Sequence, residues 1–185
     1  MTRIRLIASA ALLAAGPAGA AVTASSPSGF NVVHEFTLAV PPAVAWQAIA
    51  QPGRWWPKAH TWSGDTANLS IELQAGGCFC ERWNGGSAAH GRVLMVRDQA
   101  LLRIDAPLGP MQVLGVAALL TVMLEPTESG TKAVVTLRAS GDASHGLDKL
   151  APVVDRVVGE QWGRWVSYTN ELAKPPAERP PPGVN

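Results

Sequence analysis

The segment Gly76-Gly77-Cys78-Phe79-Cys80-Glu81 brings two thiols, an aromatic ring and a carboxylate close together in the chain. The glycine pair ends the preceding segment, and the run after it predicts a β-strand, in which successive side chains point to opposite faces. The two thiols should therefore share one face, with Phe79, Glu81 and Trp83 on the other. If that second face lines a cavity, a carboxylate among aromatic rings has a raised pKa and can act as a general acid or base.

Glu81 is thus the first candidate for acid–base chemistry, with His60 or His90 as its partner. An enzyme would use the carboxylate and one of these imidazoles as an acid–base pair. His60 lies between two tryptophans in the sequence and is the best histidine candidate for contact with a ligand. The structural alternative is that Glu81 pairs with Arg92 or Arg103 across the sheet, and that the histidines are satisfied polar groups.

Cys78 and Cys80 have three candidate roles, which we rank. In the first, both are small buried apolar side chains. In the second they form a disulfide. The Cα atoms of two residues at alternate positions of an extended strand are about 6.8 Å apart, which is close to the largest separation that a disulfide can bridge. A bulge after the glycine pair would favour this bridge. In the third they bind a metal with His90 or His60, but the spacing of Cys-rich zinc sites is absent, so we predict no metal and no cofactor.

Residues 1–20 are predicted to be a secretory signal. Arg3 and Arg5 supply a positive start, residues 6–15 are a short apolar run, and Ala18-Gly19-Ala20 fits a small-x-small cleavage site. The apolar run is shorter than the roughly 20 residues that span a bilayer. We therefore expect a periplasmic or secreted protein with no integral membrane segment in the mature chain.

Charge excludes some classes of partner. Removal of residues 1–20 takes away two arginines and no acidic residue, so the formal net charge changes from +1 to −1. A nearly neutral chain without a run of basic residues is not expected to bind nucleic acid or an anionic membrane. Seven tryptophans, against one tyrosine and three phenylalanines, favour either a pocket lined by large rings or a bulky core. The oligomeric state is left open.

The hydrophobic pattern predicts one domain over residues 30–173. Residues 21–29 are interpreted as a linker, and residues 174–185, with five prolines, as a disordered tail. A strand over 30–40 should lead into a short helix pair that begins at Pro41-Pro42. The segments expected to form an antiparallel meander after it are 69–73, 78–83, 89–96, 101–106, 113–124 and 131–140.

A long amphipathic helix ending near Ala173 is predicted next, because apolar residues recur at three- and four-residue steps from Leu150 to Leu172, with Gln161 in the repeat. Gly159 and Gly163 lie on one face of this helix. We expect both to let a neighbouring element approach closely, since two glycines otherwise cost roughly 2 kcal/mol relative to alanine. The fold class is therefore α+β: a curved antiparallel sheet of about seven strands wrapped around the helix, with a cavity between them.

Several local motifs make the chain resemble the SRPBCC (START-like, helix-grip) superfamily over roughly residues 30–173. Within it, the chain is most similar to polyketide cyclases and to the branch related to the ATPase activator of the ninety-kilodalton heat-shock protein. The resemblance implies a helix-grip fold with an internal cavity rather than a shared catalytic constellation. It rests on the Gly76-Gly77 pair before Phe79 and Glu81, and on Pro41-Pro42-Ala43-Val44-Ala45-Trp46, Trp55-Trp56, His60-Thr61-Trp62-Ser63, Leu101-Leu102-Arg103, Leu108-Gly109-Pro110-Met111 and Val154-Asp155 through Gln161-Trp162.

Three functions follow from this fold. The first is an exported protein that binds a small apolar or amphipathic molecule between the sheet and the C-terminal helix. The second is a cyclase- or hydratase-like enzyme that uses Glu81 with His60 or His90. The third is a structural or interaction protein whose own side chains fill the cavity. The residues expected to line the pocket are Trp56, His60, Trp62, Phe79, Glu81, Trp83, Met111 and Trp162.

Overall fold

The computed structural model describes residues 21–174. The predicted signal at 1–20, and the predicted tail apart from Lys174, lie outside the described residues. The strands are β1 (Ala21–Ser26), β2 (Gly29–Leu38), β3 (Leu69–Ile71), β4 (Cys78–Trp83), β5 (Gly86–Arg97), β6 (Leu101–Asp105), β7 (Ala117–Thr127) and β8 (Gly130–Ser140). The α-helices are α1 (Pro42–Ile49), α2 (Pro110–Val113) and α3 (Leu147–Leu172).

Within residues 21–174, the strands form an eight-stranded antiparallel sheet in the order β1-β2-β8-β7-β6-β5-β4-β3. The prediction of about seven strands is therefore wrong, and so is the interpretation of residues 21–29 as a linker. The additional strand, β1, pairs along β2, with Val22 opposite Val32 and Ser26 opposite Gly29. Most of its side chains are exposed at the edge of the sheet, so this strand depends on backbone hydrogen bonds and carries no apolar alternation.

The predicted helix pair after the first strand is also wrong. A single α-helix, α1, follows the second strand and buries Ala45, Trp46, Ala48 and Ile49. Short 3-10 turns at Pro52–Arg54, Lys58–His60 and Thr66–Asn68 take the place of a second helix. The physical reason is the density of prolines and glycines after α1, because a proline inside a helix removes a hydrogen bond and clashes with the preceding turn.

Helix α3 packs across one face of the sheet and is the element that encloses the core. Its buried side chains are Leu147, Ala151, Val158, Gln161, Trp162, Trp165 and Thr169. The strand predicted over residues 30–40 corresponds to β2, whose burial alternates along the chain and includes Phe30, Val32, His34 and Leu38. His34 also joins the two elements, with its Nε2 atom 3.0 Å from Oδ1 of Asp155 on α3.

No helix within residues 21–174 has both the length and the apolar character needed to cross a bilayer.

Candidate ligand cavity

A cavity of about 320 Å³ lies between α3 and the sheet. Of the predicted pocket residues, Trp56, His60, Trp62 and Met111 line it, and so does His90, which was proposed only as a catalytic candidate. The wall contributed by α3 was largely missed by the sequence analysis. The other lining residues are Ala59, Thr61, Leu108, Gly109, Pro110, Leu137, Leu150, Val153, Val154, Val157, Val158 and Gln161.

The other four predicted pocket residues do not line this cavity. Phe79 and Trp162 lie deeper, where they contact the tryptophans at 56 and 55 with ring centroids 5.0 and 5.2 Å apart. Trp83 lies at the β4–β5 hairpin, where its ring covers Gly86 so closely that a Cβ atom there would lie 2.5 Å from it. Glu81 is buried behind His90. Trp56 and His90, which line the cavity, contact Phe79 and Glu81, so these two residues lie one side chain away from the space.

The segment after α1 positions the aromatic side of the cavity. Trp56 donates its backbone N–H to Pro52 at 2.8 Å and its ring Nε1–H to the carbonyl of His60 at 3.1 Å. Two donors from one tryptophan thus hold both ends of the turn. Trp56 is almost fully buried, whereas Trp62 is 53 % exposed, so the latter ring lies at the mouth of the cavity.

A β-bulge brings His90 to Glu81. Phe79 pairs with Gly91 and the next residue, Cys80, pairs with Ala89, so His90 is an extra residue in β5. A residue inserted in this way re-aims the side chains around it. Nε2 of His90 lies 2.9 Å from Oε2 of Glu81, and both side chains are buried.

The environment of Glu81 keeps it ionised. Burial raises the pKa of this carboxyl, but hydrogen bonds from the Ser63 side chain, the backbone N–H groups of Trp62 and Ser63, and His90 outweigh burial and lower the pKa to about 2. The expectation of a raised pKa is therefore wrong, because four donors surround the carboxylate. The alternative ion pair with Arg92 or Arg103 is also wrong, since the partner of Glu81 among the described residues is His90, and Arg103 instead donates to Oγ1 of Thr121.

The carboxylate of Glu81 determines which nitrogen of His90 donates to it. Glu81 only accepts hydrogen bonds, so the Nε2 atom that contacts it must carry a proton. Among residues 21–174, no partner bonds to Nδ1 of His90, and the ring lines the cavity.

Gln161 is a functional candidate that sequence reasoning missed. This α3 residue is buried, lines the cavity and places its Nε2 atom 3.0 Å from Nδ1 of His60. Its Oε1 atom is buried without a hydrogen-bond partner among the described residues. The sequence contained a signal for this residue. Gln161 occupies a position in the apolar repeat of the helix, and a polar side chain that is buried at such a position is expected to have a hydrogen-bond partner.

Cys78 and Cys80 form a disulfide, with Cα atoms 5.3 Å apart. Our first-ranked interpretation, two free buried thiols, is therefore wrong, and the second-ranked one describes the structure. The extra residue of β5, His90, lies opposite the step from Phe79 to Cys80, and the Cα separation of the two cysteines is shorter than the roughly 6.8 Å of a regular extended strand. No group of three or more His, Cys, Asp or Glu side chains within residues 21–174 is placed to hold a metal ion.

No family model and no curated protein sequence matches this chain. Solved structures do resemble it. Protein NE0264 from Nitrosomonas europaea aligns over 80 % of this chain and 96 % of its own, with 22 % identity and a TM-score of 0.55. MLL2253 from Mesorhizobium loti aligns over 77 % and 96 %, with 19 % identity and a TM-score of 0.51. SA2116 from Staphylococcus aureus, described as a protein of unknown function, aligns over 78 % and 95 %, with 12 % identity and a TM-score of 0.54. At such identities the likeness shows the fold alone.

Proposed function

We propose that this chain binds a small apolar or amphipathic molecule in the cavity between α3 and the sheet. The observation that carries the proposal is the cavity itself, about 320 Å³ in volume and lined mainly by aliphatic and aromatic side chains with a few polar groups. Binding sites for small molecules have this composition. An open space of this size argues against the alternative in which the protein's own side chains fill the interior.

The volume limits the ligand. At about 320 Å³, the space lies at the lower end of the roughly 300–1,000 Å³ range of small-molecule pockets. Burial of about 200 Å² of apolar ligand surface would contribute roughly 5 kcal/mol before the cost of association. The expected affinity is therefore weak to moderate.

We further propose that the protein acts after export, in the periplasm or outside the cell, and that it belongs to the SRPBCC superfamily. The predicted signal at residues 1–20 supports export. The disulfide between Cys78 and Cys80 supports it independently, since disulfides persist in oxidising compartments and are rare in the cytosol. The proposal of family membership depends on the motifs and on the order of the elements.

Titration with 1-naphthol, a small neutral fluorescent molecule, tests the binding function. Trp56 and Trp62 line the cavity, so a bound naphthalene ring should quench tryptophan emission. Val157→Phe places a large ring in the cavity wall and should weaken binding at least tenfold. Arg156→Phe adds the same ring at an exposed neighbouring position and is the matched control. Equal affinity in all three proteins, or no binding to the wild type, would contradict the proposal.

Native mass spectrometry of the exported protein would identify a natural ligand.

Acid–base catalysis on the bound molecule is a second candidate function. It is favoured by one observation, the contact of 2.9 Å between Glu81 and His90 beside the cavity. In such an arrangement the ionised carboxylate orients the imidazole, and His90 rather than Glu81 would exchange the proton. Conversion of the recovered ligand by the wild type, lost in a His90→Gln variant that still binds it, would establish catalysis. An unchanged ligand with both proteins would favour binding alone.

A further inference from the structure

The disulfide between Cys78 and Cys80 shortens strand β4 beside the cavity. Its Cα atoms are 5.3 Å apart, whereas alternate residues of an extended strand are separated by roughly 6.8 Å. On the neighbouring strand β5, the same interval contains one residue more, because Cys78 pairs with Arg92 and Cys80 pairs with Ala89. The shorter segment therefore faces the longer one, and the difference in length is taken up at His90, the extra residue.

Phe79, which lies between the two cysteines, and Glu81, which follows them, both contact residues that line the cavity. The ring centroid of Phe79 is 5.0 Å from that of Trp56 and 5.0 Å from that of His90. Glu81 accepts a hydrogen bond from the backbone N–H of Trp62 at 2.9 Å and contacts Nε2 of His90 at 2.9 Å. Trp56, Trp62 and His90 all line the cavity, so a movement of β4 at the disulfide would displace three parts of its wall.

The bridge can be opened without loss of the fold. It closes a loop of three residues, and so short a loop contributes little to the stability of a domain. Strand β4 also stays paired on both sides, with β3 and β5. Cys78 is partly exposed, whereas only 8 % of Cys80 is exposed. A thiol from solvent would therefore approach the bridge from the side of Cys78.

We propose that the Cys78–Cys80 bridge is a reversible redox site, and that its reduction by an external dithiol weakens binding in the cavity. One thiolate of the dithiol attacks the sulfur of Cys78, forms a mixed disulfide and releases Cys80 as a thiolate. The second thiol of the reductant then displaces Cys78, so the reductant leaves as a disulfide, and two electrons and two protons pass to the cysteines. Strand β4 can then extend toward its regular length, and less of the difference in length falls on His90. This inference rests on the proposed binding function and adds its regulation.

Titration of 1-naphthol against one preparation of the protein, oxidised or reduced with excess dithiothreitol, measures the effect on binding. We expect the dissociation constant, obtained from quenching of tryptophan fluorescence, to rise at least threefold on reduction. The double variant Cys78→Ser, Cys80→Ser should bind like the reduced protein and should not respond to dithiothreitol, since the chain contains no other cysteine. Ile49→Val removes one buried methyl group outside the cavity lining while the bridge stays intact, so it should bind like the oxidised wild type.

The imidazole resonances of His90 give a second measurement that needs no ligand. They should shift on reduction in ¹H–¹³C spectra, while those of His34, which contacts Asp155 on α3, should stay unchanged. Equal affinity before and after reduction, tighter binding by the reduced protein, or unchanged His90 resonances would overturn the inference and leave the binding function intact. Failure of 1-naphthol to bind the oxidised protein would overturn both.

Discussion

Gly159 of α3 lies directly against the imidazole of His34 on β2. A Cβ atom at this glycine would lie 2.7 Å from Cε1 of His34, closer than side-chain carbons approach one another. The ring has little freedom to move away, because it is buried and its Nε2 atom also contacts Asp155. The prediction of a close neighbour is therefore confirmed for Gly159. It is wrong for Gly163, where a Cβ would meet nothing within 4 Å among the described residues.

Gly159→Ala should accordingly destabilise the protein by about 1–3 kcal/mol, the usual cost of overpacking. Gly163→Ala is the matched control in the same helix and should stabilise the protein by about 1 kcal/mol, since alanine is the better helix former. Urea unfolding at neutral pH gives both values. Two variants that shift the free energy of unfolding in the same direction would contradict this account of the α3–β2 contact.

Stability should depend on the ionisation of Glu81. Its carboxyl has a pKa of about 2 in the folded protein, below the ordinary value of 4.5. A carboxyl whose pKa is lowered by folding stabilises the folded state fully above the ordinary pKa, and this contribution is lost as the pH falls to the folded-state value. We therefore expect the free energy of unfolding to fall between about pH 4.5 and pH 2.

Glu81→Gln should remove part of this pH dependence. At neutral pH the variant should be less stable by about 2–3 kcal/mol, because its amide group faces backbone donors that the carboxylate satisfied. Asp142, whose pKa is also lowered by hydrogen bonds from Ser144, titrates in both proteins, so only the difference between them reports on Glu81. Parallel stability curves for the two proteins from pH 7 to pH 2 would show that the carboxylate is not held as described.

The disulfide should contribute modestly to stability. The ring between Cys78 and Cys80 spans three residues, and in the chain-entropy model so short a loop stabilises by only about 1–2 kcal/mol. The double variant Cys78→Ser, Cys80→Ser should lose about that amount in urea unfolding. Intact mass under non-reducing conditions should be lower by two hydrogen atoms than after reduction, with no such change in Cys80→Ser alone. Free thiols in the purified exported protein would refute the bridge.

Export should remove the N-terminus after Ala20. The short apolar run and the Ala18-Gly19-Ala20 triplet favour this position. N-terminal sequencing of exported protein should therefore begin at Ala21, and Ala18→Arg should block processing because the site requires a small residue. A mature protein that retains Met1 would contradict the prediction.

The local sequence pattern was sufficient to predict much of the fold but only part of the lining of the cavity. Alternation placed Phe79 and Glu81 on the inner face, and the spacing of apolar residues predicted α3 almost to its last residue. The edge strand β1 was not predicted, because it pairs through backbone hydrogen bonds and such pairing does not require an alternating pattern of apolar side chains. Whether a side chain on the inner face of the sheet reaches the cavity depends on which other side chains lie between it and that space. His90 covers Glu81, and this arrangement arises from strand register, which local sequence does not encode.

The bulge in β5 makes the length of that strand a determinant of which side chain lines the cavity. A regular strand presents every second residue to one face, but here His90 faces the cavity and Gly91 also packs inward, against Ile104. Deletion of His90, the extra residue, would restore strict alternation and leave the buried charge of Glu81 without its imidazole partner. Loops usually tolerate changes in length. Relatives that lack this extra residue would be expected to keep the fold and present a different side chain to the cavity.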